Sequence, residues 1–219
     1  MAELQSNIDA MRAAFYQAVR LTAAVALPIS AGMALVATEL VAVVLGPKWS
    51  ALVPIFRLLC FYAAVRAIDV LLAPVLIARH REQLLFWYCL ALLITMPVAA
   101  ALGALWDGAP GAVILMCPVY CGVMAITASK ALGELRGSFA ELWCETWPVL
   151  VATAAMAGIV LLFRNLALTG HSAQPIVDLI VLSVSGALTY SAALFSSGSP
   201  VVGDMIEVAG WILRRRSGV

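Results

Sequence analysis

The chain has 219 residues, of which 64% are hydrophobic and 11% charged, and its formal net charge is +1. Soluble domains carry about 25% charged residues, so a soluble globular enzyme is excluded, and apolar runs of spanning length leave no room for a separate soluble domain. There is no basic groove with interleaved aromatics, which excludes nucleic acid as an expected partner.

Residues 1–17 place Leu4, Ile8, Met11 and Phe15 at i, i+4, i+7 and i+11. That stripe predicts an amphipathic N-terminal helix, lying at the interface or packed on the bundle. Glu3 and Asp9 make the segment a poor signal-peptide n-region, so the first apolar run is expected to be retained. Six spans are predicted at about 19–44, 52–78, 84–105, 110–129, 147–164 and 175–195, together forming a transmembrane domain over 18–196. The connections GPKWS, RHREQ, WDGAPG and LTGHSAQP all have turn chemistry. Residues 130–146 read as a second interfacial amphipathic helix, and 197–219 as a basic amphipathic tail. The expected fold is therefore all-α: an integral membrane bundle of six transmembrane helices with amphipathic interfacial helices.

Charge placement orients the bundle. Arg12, Arg20, Arg79, Arg81, Lys130, Arg136, Arg214, Arg215 and Arg216 fall on one side, against Lys48, Arg164 and the shallow Arg57 on the other. The positive-inside bias puts the first side, and both termini, in the cytoplasm. Trp49 and Trp106 fall at outer ends of spans, and Trp87, Trp143 and Trp147 near inner ends, as an aromatic belt requires. Pro28, Pro54, Pro74, Pro97, Pro118, Pro148 and Pro175 lie in or at the ends of the spans. Prolines inside a helix free a backbone carbonyl, and Pro28, Pro74 and Pro97 are candidate bend points.

The five cysteines, Cys60, Cys89, Cys117, Cys121 and Cys144, read as small hydrophobes. No set of convergent ligands, acids or bases is apparent, so no metal, cofactor or catalytic residue is expected, and the chain is not expected to be an enzyme. The informative polar residues lie in the second span. Tyr62, Arg66 and Asp69 follow at i, i+4 and i+7 on one helical face, in otherwise apolar sequence. Arg66 and Asp69 are three residues apart and so within pairing distance, which offsets the cost of a lone charge at bilayer depth. A hydrated cavity lined by this face is the expectation, with an anionic group drawn to Arg66. A purely structural pair is the alternative. Arg57 falls about half a turn round from Arg66 and is placed to snorkel toward the outer interface.

The string from Pro28 to Arg81 resembles the C-terminal half of bacterial polysaccharide (O-antigen and exopolysaccharide) flippases of the multidrug/oligosaccharidyl-lipid/polysaccharide exporter superfamily. The matching pattern is a span with Pro28 and Gly32, the L-G-P-K-W turn from Leu45 to Trp49, a helix with Arg57 and Arg66, and the P-V-L-I-A exit from Pro74 to Ala78. The resemblance implies one lobe of a two-lobe transporter in the bacterial inner membrane. Its implied substrate is an undecaprenyl-pyrophosphate-linked glycan, moved by alternating access, with Arg66 and then Arg57 as cavity positions. It also implies partners: membrane lipids, and a second six-helix lobe or a second copy of the chain. Met1-Ala2-Glu3 directly before the joining helix suits a split or truncated gene. The alternative is a non-transporting scaffold of envelope polysaccharide assembly.

Overall fold

The computed structural model describes residues 8–167, 175–196 and Gly203. The described chain forms α1 (Ile8–Leu35), α2 (Ala37–Val44), a 3-10 turn (Pro47–Leu52), α3 (Val53–Asp69), α4 (Leu72–Ala78), α5 (Glu82–Glu134), α6 (Phe139–Ala167) and α7 (Pro175–Ser196). Among the described residues, five stretches are long and apolar enough to cross a membrane: Ile8–Leu35, Pro47–Ala78, Glu82–Glu134, Phe139–Arg164 and Ile176–Ser196. The protein is a multi-pass helical membrane bundle.

The difference between five stretches and six predicted spans lies in α5. A straight helix of its 53 residues would run about 80 Å at 1.5 Å per residue, more than twice a hydrocarbon core. Instead the backbone leaves helical geometry at Asp107 (φ −143°, ψ 32°) and Gly108 (φ 60°, ψ −140°). The positive φ of Gly108 is open to glycine at little cost, and the helix doubles back. Gly103 and Gly111 then meet so closely that a Cβ on Gly103 would sit 2.3 Å from the Gly111 carbonyl oxygen. The predicted spans 84–105 and 110–129 are the two arms of this hairpin.

Two other spans are divided where one helix was expected. The second is broken at Val70 and Leu71, between α3 and α4. Pro74 explains this break: it has no N–H for the Val70 carbonyl four residues back, and its ring crowds that oxygen. The first span is interrupted at Val36 (φ −91°, ψ 12°), between α1 and α2. No proline marks that irregularity. Pro28 lies within continuous α1, and the Ala24 carbonyl it leaves without an N–H partner accepts a hydrogen bond from Tyr190 Oη of α7 at 2.7 Å. A neighbouring helix thus supplies the donor that proline removes.

The amphipathic N-terminal stretch and the first span are one helix from Ile8 onward. Its stripe is packed on the bundle: Met11, Phe15, Tyr16 and Val19 are buried against Leu72, Leu76, Ala131 and Leu135. The stretch 130–146 is not one interfacial helix but the end of α5 and the start of α6. Arg136 takes a positive φ of 53° there, and Ser138 Oγ accepts from the Glu141 N–H at 3.3 Å, a helix N-cap that the S-x-x-E spacing foretells. The predicted tail helix lies outside the described residues.

Helix α1 is the centre of the bundle, touching α3 on one side and α6 on the other, with α7 against α6 and the hairpin against α3 and α4. Small residues set the α6–α7 approach: a Cβ on Gly186 would lie 3.2 Å from Val160 Cγ2. Ion pairs collect at the ends. Arg12 pairs with Glu141, Arg20 with Glu145 at 2.6 Å and Arg81 with Glu134 at 2.9 Å. At the opposite end Arg164 pairs with Glu39 at 3.3 Å. This segregation leaves an apolar belt between, interrupted by one polar cluster.

Candidate functional site

That cluster forms where Pro74 interrupts the second span. Asp69 is the last residue of α3, and at 1.5 Å per residue it lies about 15 Å from Arg79, half the thickness of a hydrocarbon core. Its side chain is 3% exposed. An isolated carboxylate in such a place is strongly unfavourable, and the fold surrounds it with donors. Arg66 Nη1 donates to Oδ2 at 3.0 Å. Tyr120 Oη donates to Oδ2 at 2.6 Å. Tyr88 Oη reaches Oδ1 at 2.7 Å and Oδ2 at 2.8 Å. Arg66 Nη1 also donates to Tyr120 Oη at 3.0 Å, and its guanidinium carbon lies 5.8 Å from the Tyr120 ring centroid.

Both hairpin arms are needed. Tyr88 comes from the first and Tyr120 from the second, and the carboxylate of α3 joins them. Tyr62, one turn before Arg66, sets its ring edge-on to Tyr120 with centroids 4.7 Å apart. It therefore holds Tyr120 in place. Of the residues expected on the polar face, Tyr62, Arg66 and Asp69 do converge. Arg57 does not: it is exposed, about 13 Å along the helix axis from Arg66, and donates to Thr38 Oγ1 at 3.2 Å. Tyr88 and Tyr120 were not expected at the site. The available signal was that a tyrosine in an apolar span still needs a partner for its hydroxyl.

The cluster divides labour between its charges. Asp69 accepts from the neutral Tyr88 and Tyr120 and from the cationic Arg66, a donor set suited to anchoring the cluster. Arg66 is half exposed, its side chain 50% accessible, and among the described residues its hydrogen bonds run through Nη1 alone. Its remaining N–H groups form a planar, pre-oriented fork suited to a phosphate or carboxylate. No group of three or more His, Cys, Asp or Glu side chains placed to hold a metal occurs among the described residues.

A second, partly buried carboxylate is Glu39 of α2. Arg164 Nη2 pairs with its Oε1 at 3.3 Å while Nη1 reaches the Leu35 carbonyl at 3.4 Å. Arg164 thus straps α6 across the interruption at Val36. Glu39 Oε2 is a buried atom with no hydrogen-bond partner among the described residues.

Comparison with known proteins places this architecture. Residues 1–54 match a family model described as "Polysaccharide biosynthesis protein". The chain is 24% identical over 168 residues to the lipopolysaccharide biosynthesis protein WzxC of Escherichia coli (strain K12), covering 73% of this chain and 34% of WzxC. It is 24% identical over 119 residues to an uncharacterized membrane protein in the cps region of Klebsiella pneumoniae, covering 53% of this chain and 24% of that protein. The chain thus spans about a third or less of the length of these curated relatives. No solved structure matches it.

Proposed function

We propose that this flippase-like membrane protein of polysaccharide biosynthesis is a transporter component that helps move lipid-linked glycan precursors across the inner membrane. The observation that carries the proposal is the half-exposed guanidinium of Arg66, held at mid-bilayer depth by a saturated Asp69. Its free fork faces out of the bundle and suits the pyrophosphate of an undecaprenyl-linked glycan. Tyr62, Tyr88 and Tyr120 position it, while Arg57 serves the outer interface. The chain works by alternating access with a second lobe, supplied by a separate polypeptide or by a second copy of itself. Its Arg12 end faces the cytoplasm, following the positive-inside bias. Similarity to polysaccharide biosynthesis proteins supports a transporter component over an enzyme.

Asp69's saturation also favours a second reading, a non-transporting scaffold whose ion pair only locks the bundle. Arg66→Gln separates the two. In the native host, deletion of the gene is expected to accumulate lipid-linked glycan on the cytoplasmic leaflet. The Arg66→Gln protein should reach the membrane at wild-type level and accumulate the same intermediate, with export reduced tenfold or more, about the factor for losing one charged hydrogen bond at 1.5–3 kcal/mol. Normal export by the Arg66→Gln protein would leave the scaffold reading standing.

A further inference from the structure

A second feature of the hairpin lies on its lipid-facing side. Along the first arm of α5, Leu84, Trp87, Tyr88 and Ala91 recur at i, i+3, i+4 and i+7. Along the second, Val123, Ile126, Thr127 and Lys130 recur at the same spacing. Each set is one helical stripe, and the two stripes face each other. The arms touch backbone to backbone at Gly103 and Gly111 near the turn. At the other end a groove of about 320 Å³ stays open between the stripes. Trp87 and Ile126 on its rims are 63% and 61% exposed.

The mouth of this groove carries a cation with no ion-pair partner among the described residues. Arg12, Arg20, Arg79 and Arg81 at the same end of the bundle all face carboxylates. Glu134, one turn beyond Lys130, is taken by Arg81 at 2.9 Å and Arg79 at 3.9 Å. Lys130 is exposed and makes no ion pair with a described residue. Thr127 Oγ1 is committed to the Val123 carbonyl at 3.1 Å and Tyr88 Oη to Asp69 at 2.7 Å, so both polar side chains on the groove walls already have partners. An apolar slot with an amphipathic indole on its rim and a free ammonium at its mouth matches one molecule of the surroundings.

We propose that the groove between the α5 arms binds an anionic phospholipid, its acyl chain along Leu84, Trp87, Val123 and Ile126 and its phosphate on Lys130. Tyr88 lines the floor of the groove and also donates to Asp69, so an ordered lipid there braces the polar cluster from behind.

The test uses the full chain purified in mild detergent and returned to nanodiscs of phosphatidylcholine with a minor share of phosphatidylglycerol, with retained lipid counted by native mass spectrometry. The wild type should retain phosphatidylglycerol in preference to phosphatidylcholine. Lys130→Gln should lower that preference about fivefold, the worth of one cation near an anionic surface. Lys130→Arg should restore it. Arg136→Gln, which removes another exposed cation at that end without touching the groove, should leave the preference unchanged. Equal losses in Lys130→Gln and Arg136→Gln would reduce the effect to diffuse surface charge and overturn the site, as would no loss in Lys130→Gln. Trp87→Ala should shorten retention of both lipids, and unaltered retention would remove the groove as the seat of the acyl chain. The readout contains no glycan, so it fails or succeeds separately from the transport reading.

Discussion

The Asp69 cluster and the Glu39–Arg164 strap are built from the same charges at similar helix interruptions, and they behave differently. Each joins an arginine to a carboxylate beside a break in a span, Asp69 buried and Glu39 partly so. At Asp69 both carboxylate oxygens are filled, and two of the donors are tyrosine hydroxyls. Neutral donors stabilise the charge without adding cations, so one guanidinium suffices, and it is only partly used. At Glu39 the roles reverse. Arg164 is divided between a carboxylate and a carbonyl, while Glu39 Oε2 has no partner. One arrangement presents a cation, whereas the other consumes one. The difference leaves Arg66 half exposed and only partly used, which is why the proposed function rests on it rather than on the pairing itself.

The largest expected effect tests that asymmetry at its root. Asp69→Ala leaves Tyr88 and Tyr120 without their common acceptor in an apolar interior and removes the partner that holds the half-exposed Arg66. Removing one partner of a buried, hydrogen-bonded charge costs about 3–5 kcal/mol, and the loss should appear as a large fall in unfolding midpoint in detergent. A cost under about 1 kcal/mol, the range of exposed pairs, would show that the tyrosines find other acceptors and that the cluster resembles the Glu39 strap after all.

The parts of this cluster differ in how readable they are from sequence. Arg66 and Asp69 stand out because charges are rare in spans and because i, i+3 pairing is local. The break after Asp69 is legible in the sequence too, because Pro74 is a candidate bend point within the span. Tyr88 and Tyr120 were not readable as partners. They lie 19 and 51 residues from Asp69, and what aligns them is the register of the α5 hairpin against α3. Apolar surfaces specify such register only through side-chain fit, and no local pattern announces it. The interruption at Val36 has no proline to announce it, and its companion Arg164 is 129 residues from Leu35 in sequence. The Ser138 cap was readable, yet the amphipathic stripe running across it suggested one helix.

A smaller effect is expected at the interruption that does not break its helix. Pro28 removes the N–H that the Ala24 carbonyl needs, and Tyr190 Oη replaces it at 2.7 Å. Tyr190→Phe should therefore cost about 1 kcal/mol in the native background. In a Pro28→Ala background the helix recovers its own donor and the same substitution should cost less. The cycle should show a coupling of about 0.6 kcal/mol, the mean for side-chain hydrogen bonds between membrane helices. Equal costs in both backgrounds would mean that the tyrosine acts through its packing against α1 and α6 instead.

The smallest effect belongs to the strap. Arg164 is 31% exposed and Glu39 13%, so the pair is partly screened and one carboxylate oxygen already goes without a partner. Arg164→Gln should lower stability by no more than about 1 kcal/mol, with the difference shrinking as salt is raised. Glu39→Gln should be milder still, because it removes a buried charge along with the pair and keeps an acceptor for Arg164. If instead Arg164→Gln proved as damaging as Asp69→Ala, the strap would be holding the α1–α2 interruption in place as firmly as the tyrosines hold Asp69. The two sites would then be equivalent locks, and the half-exposed guanidinium of Arg66 would lose the contrast that singles it out.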